Sequence, residues 1–269
     1  MPAETSVTGR IAKSEKMLAA YKAKTQEEGE HLALEVFARR VVELNSLIEG
    51  PLFDYSRLAD LASDSTIPSA EKLLSAAAAK PSLEENGPCV KRRKLAGDES
   101  SGGDAPTEKS SSSSTVYSFM GGTVCCNEKV RELVEMVKPI LRDAVESVNK
   151  VKMWITFLIP RIEDGNNFGV SIQEDTLSEV RAVESEAASF LDQISRYFLS
   201  RGKMITKLAR YPHVEDYRRA IVDLDEKQFI NLRLVLVEIR NHYATLHDVI
   251  VKNLEKIKKP RSANMEHMF

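Results

Sequence analysis

Histidines and carboxylates at helical spacing are the residues of this sequence that could hold a metal ion. A dinuclear metal site in a helical bundle needs Glu-x-x-His on two helices, and in this chain only Glu28 and His31 have that spacing. His242 and His247 are five residues apart, about 140° around a helix, so their rings do not converge on one ligand. We therefore interpret these two histidines as core or surface residues, and the sequence predicts no metal site.

A second candidate for metal binding faintly resembles a calcium-binding loop. Asp164, Asn166 and Gly169 stand at its first, third and sixth positions. However, Phe168 occupies the fifth position, where calcium requires an oxygen ligand, and the twelfth position holds Asp175 instead of the long bidentate Glu. We do not expect calcium to bind here.

The motifs of common enzyme classes are missing. The sequence contains no Walker A motif, no GxGxxG, no HExxH and no nucleophile elbow, the patterns that bind nucleotides, hold zinc or expose a serine nucleophile. Its three cysteines, Cys89, Cys125 and Cys126, form no CxxC motif and no disulfide framework. The sequence therefore predicts a protein that is not an enzyme and uses no cofactor.

The composition argues against two classes of partner. Charged residues make up 29% of the 269 residues and nearly balance, with a formal net charge of −2. This balance argues against a protein that binds nucleic acid or an anionic membrane over its whole surface. No apolar run is long enough to cross a bilayer, and the polar start has no apolar signal segment. We expect a soluble intracellular protein with no membrane or nucleic-acid partner.

The elements that must position any site are helices, so the sequence predicts an all-α fold, a long antiparallel four-helix bundle. Residues 1–50 supply the first helix, with apolar residues at three- and four-residue steps and a stop at Gly50-Pro51. Gly29 weakens its middle by about 1 kcal/mol relative to Ala. Residues 51–124 lose this periodicity and contain scattered prolines and a serine run, which predicts a flexible insert.

Residues 125–260 supply the other three helices. Apolar residues keep helical spacing along three segments, Val130–Leu158, Leu177–Phe198 and Tyr217–Ile257. Pro139 predicts a kink in the second helix, and Pro160 predicts its end. Ser171 and Glu174 are predicted to cap the third helix as a capping box. Helices of this length carry more apolar surface than one bundle core needs, so we expect side-by-side oligomerisation.

A dense basic cluster lies within the insert and consists of Lys91, Arg92, Arg93 and Lys94. Such a cluster is typical of a nuclear import address or of a nucleic-acid contact, and it also occurs as a plain solvated charge run. We favour nuclear import, which predicts a protein of the nucleus and also of the cytoplasm. A nucleic-acid role would instead give binding with a steep salt dependence that is lost when the cluster is mutated.

The stretch PRIEDGNNFGV, from Pro160 to Val170, lies between the second and third predicted helices. It resembles the activation loop of the REG, or 11S, proteasome activators, most closely their gamma, nuclear type. The other similar segments are residues 184–197, 211–219 and 258–261. The similarity is dense after about Asn127 and weak before Pro51.

The resemblance implies a subunit that assembles into a homo-heptameric ring with a central channel. It further implies that C-terminal tails insert between the α-subunits of the 20S proteasome while activation loops open the gate without ATP, so that protein or peptide substrates enter. The implied loop, residues 161–169, consists of Arg161, Ile162, Glu163, Asp164, Gly165, Asn166, Asn167, Phe168 and Gly169, with Asn166 the most important. The tail spans 261–269, and its implied docking residues are Met265, Glu266, His267, Met268 and Phe269, where the gamma type usually ends in Tyr.

The residues alone leave a second interpretation open. A structural adaptor would bind partners through its helix faces and the insert, and it would form dimers or trimers with no effect on proteasome activity. The mass of the native particle separates the two interpretations, because only the activator predicts a seven-subunit ring.

Overall fold

The computed structural model describes residues 7–61, 67, 71, 124–161, 165 and 167–261. All regular structure within these residues is helical, which confirms the predicted all-α fold. The helices are α1 (Val7–His31), a π-helical turn (Leu32–Val36), α2 (Phe37–Glu49), α3 (Leu58–Leu61), α4 (Glu128–Leu158), α5 (Phe168–Arg210) and α6 (Glu215–Lys258), with 3₁₀ turns at Pro51–Phe53 and Tyr55–Arg57.

The long helices form a four-helix bundle. α1, the π-helical turn and α2 are continuous and pack against α4 and α6, while α5 packs against both α4 and α6. One apolar core runs through the bundle, and Phe53 and Leu61, at the start of the predicted insert, belong to it. α6 has 44 residues and is therefore about 66 Å long. Within the described residues, no helix is long and apolar enough to span a membrane.

Gly29 allows α1 to lie close to α4. A Cβ at this position would lie 2.4 Å from Cβ of Trp154, a fully buried side chain. The sequence predicts only a weak point in the helix here. The structure shows that the absence of a side chain is what lets the two helices pack, so the close contact with Trp154 offsets the lower helix propensity of glycine.

The π-helical turn is held by a histidine of α6. His247 Nδ1 lies 2.8 Å from the carbonyl oxygen of Ala33. Because a carbonyl only accepts, Nδ1 carries the hydrogen. His247 therefore joins α6 to the first helix at the point where the regular helical ladder is interrupted.

The predicted start of the third helix is wrong. α5 begins at Phe168 and its N-cap residue is Asn167. Ser171 donates its backbone N–H to the carbonyl oxygen of Asn167 at 2.9 Å, so Ser171 lies in the first turn, and the capping box with Glu174 does not form. α4 runs through Pro139 without interruption, and the kink stays a prediction.

One end of the bundle, which we call the insert end, joins the two chain segments that flank most of the predicted insert. Asn127 Nδ2 donates to the carbonyl oxygen of Leu61 at 3.1 Å. Lys129 Nζ donates to the carbonyl oxygen of Asp60 at 2.8 Å. The chain therefore leaves and re-enters the bundle at the same place.

A buried carboxylate organises the insert end. Asp225 of α6 accepts hydrogen bonds from Asn127 Nδ2 at 2.8 Å, from Tyr197 Oη at 2.7 Å and from Arg201 Nε at 2.9 Å. Burial, followed by the negative charge of Asp225, raises the pKa of the Tyr197 phenol, which stays a donor. This cluster binds the start of α4 to α5 and α6.

Candidate functional site

The opposite end of the bundle, which we call the loop end, presents both segments that the sequence singles out. α4 ends at Leu158, and Ile159 continues in an extended conformation with φ −66° and ψ 123°. This ending before Pro160 is the predicted one. α6 ends at Lys258, whose side chain pairs with Glu30 of α1. The predicted loop and the predicted tail therefore start from the same end.

Gln173 ties the ends of two helices to a third. Its side chain is fully buried, and Nε2 donates to the carbonyl oxygen of Leu158 at 3.1 Å and to that of Ile257 at 2.7 Å. The last carbonyls of a helix have no partner within the helix. One amide of α5 thus satisfies the terminal carbonyls of both α4 and α6 and fixes their spacing.

Gly169 packs directly against the backbone from which the tail begins. A Cβ at this position would lie 2.0 Å from the carbonyl oxygen of Pro260 and 2.7 Å from its Cα. Only glycine permits such an approach of two backbones. The resemblance implies that Gly169 is a loop residue. The structure instead places it in the first turn of α5, where it is buried against Pro260. Pro260 directly precedes the predicted tail, and we call it the root of the tail.

Arg261, the first residue of the predicted tail, contacts Arg161 and Asn167, where the chain leaves α4 and enters α5. We call these two residues the roots of the loop. Arg261 Nη2 donates to the carbonyl oxygen of Arg161 at 2.9 Å and lies 3.5 Å from Oδ1 of Asn167. The first distance is that of an ordinary hydrogen bond, and the second is at the limit of a weak one. The loop and the tail are therefore connected where they leave the bundle.

Apart from Gly169, the described residues of the loop are exposed. Phe168 is 72% exposed, and Arg161, Gly165 and Asn167 are exposed as well. Gly165 has a φ of +104°, a conformation that L-residues with a side chain rarely adopt. The left-handed backbone predicted for this stretch is thus present at Gly165.

Most of the predicted contact residues lie outside the described part of the chain. These are the loop residues Ile162, Glu163, Asp164 and Asn166, the tail residues Met265, Glu266, His267, Met268 and Phe269, and the basic cluster Lys91, Arg92, Arg93 and Lys94. Their roles stay predictions.

Glu28 and His31, the pair that the sequence weighed as metal ligands, each contact a different side chain. Glu28 Oε2 lies 2.7 Å from Nζ of Lys150, and this hydrogen bond lowers the pKa of the Glu28 carboxyl. His31 instead lies 3.4 Å from Glu35 on the same exposed face. The two side chains therefore serve different contacts.

Sequence reasoning missed the residues that hold the roots together, above all Gln173 and Arg261. A partial signal exists for Gln173, because it stands four residues before Leu177 and so lies on the apolar face of α5. A polar side chain on that face indicates a buried partner. No local pattern indicates Arg261, because its partner Arg161 is 100 residues away.

Comparison of the sequence with known protein families gives two matches. The family profile "Proteasome activator PA28, N-terminal" matches residues 12–72. The profile "Proteasome activator PA28, C-terminal" matches residues 123–267, more than half of the chain.

Relatives resemble the chain over nearly its whole length. Proteasome activator complex subunit 3 of Homo sapiens is 44% identical over 250 residues, which cover 93% of this chain and 94% of that protein. The Gallus gallus counterpart is 43% identical over the same shares.

Solved structures resemble its fold. The crystal structure of the 11S subunit of the Plasmodium falciparum proteasome, PA28, has a TM-score of 0.68 at 27% identity and covers 93% of this chain and 96% of that one. The structure of an archaeabacterial 20S proteasome–PA26 complex has a TM-score of 0.53 at 13% identity, covers 93% of this chain and 99% of that one, and shares the fold.

Proposed function

The chain belongs to the PA28 family of proteasome activators, as the sequence predicted, and from this premise we propose that it activates the 20S proteasome as a homo-heptameric ring. Members of the family are regulators rather than proteases. In this proposal the ring binds the α-subunits and opens their gate without ATP, so that protein or peptide substrates reach the proteasome's own active sites.

The observation that carries the proposal is the meeting of loop and tail roots at the loop end. Arg261 contacts the backbone of Arg161, and Gly169 packs against Pro260. A partner surface that captures the tail therefore receives the loop at the same time. The two segments can then act on one partner.

In this proposal the tail binds the proteasome and the loop opens its gate. One short tail binds weakly, but several tails on one rigid ring act through their effective concentration. Binding energy alone does not open a gate, because a shift between two states requires a contact that differs between them. The loop, with Asn166 at its centre, supplies that contact.

Ring assembly is supported by apolar side chains that the single subunit leaves in solvent. Leu199 of α5 is 61% exposed, and Leu234 and Val251 of α6 are 53% and 46% exposed. On α1, Met17 and Leu18 are 75% and 51% exposed. Contacts between neighbouring subunits in a ring would bury this apolar surface, which is spread over several helices.

The proposal includes a nuclear address at Lys91, Arg92, Arg93 and Lys94. The basic cluster is dense and follows Pro88 within a polar stretch, the composition that import receptors read. Replacing the four residues with Ala is expected to retain the protein in the cytoplasm without changing its effect on purified proteasome, as followed by microscopy of a tagged chain.

The decisive experiment separates binding from opening. We expect Asn166→Tyr to leave the particle mass and the binding to 20S proteasome unchanged while it abolishes stimulation of fluorogenic peptide hydrolysis. Asn241→Tyr, the same change at an exposed residue of α6 away from the loop, is the matched control and should stimulate normally once native mass measurement shows an intact ring. Full stimulation by Asn166→Tyr would contradict the role of the loop.

Removal of Met265–Phe269 tests the other half of the proposal. We expect this truncation to form the same seven-subunit particle and to lose co-sedimentation with the proteasome. Persistent co-sedimentation would rule out the tail as the main anchor. A native mass of a dimer or trimer for the intact chain would instead favour the adaptor interpretation.

A further inference from the structure

Away from both ends of the bundle, three potential metal ligands converge between α5 and α6. His242 Nε2 lies 3.2 Å from Oε2 of Glu186 and 3.9 Å from Oε1 of Glu238. One ligand atom from each of the three side chains lies within 4.8 Å of the others. Glu238 and His242 are one helical turn apart on α6, and Glu186 reaches them from α5.

Nε2 of His242 has no hydrogen-bond partner in the described part of the chain. The His242 side chain is only 16% exposed, and Nε2 is a buried atom that makes no hydrogen bond with the described residues. The separation from Glu186 satisfies an ion-pair distance, but the orientation does not satisfy a hydrogen bond. A buried polar atom without a partner costs free energy, and a neutral ring would direct its lone pair toward two carboxylates.

We propose that Glu186, Glu238 and His242 bind one Zn²⁺ ion per subunit and join α5 to α6. A cation placed between the three groups would use the free lone pair of Nε2 and neutralise the two facing carboxylates. Tetrahedral zinc with ligands at about 2.1 Å separates its ligand atoms by about 3.4 Å. The distances of 3.2 Å and 3.9 Å bracket that value.

The set of ligands favours zinc over the common hard cations. An imidazole nitrogen suits Zn²⁺, whereas Mg²⁺ and Ca²⁺ select sites made of oxygen ligands. Glu186 and Glu238 are 47% and 45% exposed, so an ion can enter from solvent and a water molecule can complete the fourth position. Such an ion would act as a clamp about 24 Å along α6 from its C-terminal end, separate from the loop end.

The test uses the full-length ring without an affinity tag, stripped with chelator and titrated with ZnCl₂ in a calorimeter. We expect one Zn²⁺ per subunit and a rise in melting temperature, because an ion that binds only the folded state stabilises it. His242→Gln and Glu186→Gln should each weaken binding at least about 100-fold, since removing a ligand costs more than the 10- to 100-fold loss typical of outer contacts. MgCl₂ should give no comparable heat.

His31→Gln is the matched control. His31 and Glu35 form a histidine–glutamate pair one helical turn apart at 3.4 Å, comparable to His242 and Glu238 at 3.9 Å, but no third ligand joins them among the described residues. Zinc binding should be unchanged in this variant. No zinc binding by the parent chain, or binding that survives in both His242→Gln and Glu186→Gln, would overturn the proposal, and circular dichroism of the exposed Glu186→Gln variant confirms that it is folded.

Discussion

The two ends of this bundle are closed by different chemistry. At the insert end, the buried side chains of Asn127, Tyr197 and Arg201 converge on the carboxylate of Asp225. At the loop end, the buried contacts go to backbone groups, and the Lys258–Glu30 ion pair beside them is partly exposed. Gln173 donates to two helix-terminal carbonyls, and Gly169 lies against the backbone of Pro260.

This difference separates stability from contact with a partner. A charge cluster whose members are all buried makes one end resistant to local opening, because each member loses its partner if another moves. Contacts made through backbone groups leave side chains of the loop free for a partner, and Phe168 at 72% exposure is an example. The insert end thus holds the helices together, while the loop end holds two segments in position for a partner.

The largest effect is expected at the insert end, from Asp225→Ala. The change removes the carboxylate that pairs with the guanidinium of Arg201, a side chain that is only 5% exposed. Breaking a buried pair in this way costs about 3–5 kcal/mol. We expect the free energy of unfolding, measured with urea, to fall by this amount.

Arg219→Ala is the control for that comparison. Arg219 and Asp223 are 3.0 Å apart but 70% and 55% exposed, and such pairs contribute about 0–1 kcal/mol. If both variants lost the same free energy of unfolding, burial of the Asp225 cluster would not increase its contribution to stability.

An intermediate effect is expected at the loop end, from Gly169→Ala. The new methyl group would lie 2.0 Å from the carbonyl oxygen of Pro260, so the start of α5 and the root of the tail must separate. Overpacking of this kind costs about 1–3 kcal/mol. We expect this moderate loss of stability together with the loss of most stimulation of peptide hydrolysis, because the loop and the tail are no longer held together.

Gly202→Ala, in the same helix, is the control for Gly169→Ala, and we expect it to raise stability instead of lowering it. A Cβ at Gly202 meets nothing within 4 Å, and alanine in a helix interior is favoured over glycine by about 1 kcal/mol. This variant should be slightly more stable and fully active. If Gly169→Ala also kept full stimulation, the connection between the two roots would have no role in activation.

The sequence predicts the helices and the position of the site better than it predicts the contacts that hold the site. Pro160 ends a helix and Gly165 adopts a left-handed conformation for local steric reasons, and both are readable from neighbouring residues. The contact of Arg261 with Arg161, and of Asn127 with Asp225, depends on how distant helices pack, which no local pattern encodes. The start of α5 was misplaced because the Ser171 and Glu174 pattern is a local preference that the packing of Gly169 against Pro260 overrides.

The smallest effect is expected midway between the ends, where Glu184 of α5 faces α4. Its carboxylate is 2.6 Å from Nζ of Lys152 and accepts from Nδ2 of Asn149 at 2.6 Å. Burial raises the pKa of Glu184, but the hydrogen bonds from Lys152 and Asn149 outweigh it and hold this pKa below its ordinary value of 4.5. A carboxyl group with a lowered pKa in the folded state stabilises the protein above the unfolded pKa, and this stabilisation disappears as the pH falls through the folded pKa.

Glu184→Gln removes that dependence. Both side chains of the pair are 21% exposed, so we expect the variant to lose about 1 kcal/mol at pH 7, less than the fully buried Asp225 cluster provides. In urea titrations from pH 7 downward, the stabilities of parent and variant should converge below pH 4.5, because only the parent has a carboxylate to protonate. A difference that stayed constant with pH would show that shape rather than charge makes the contact.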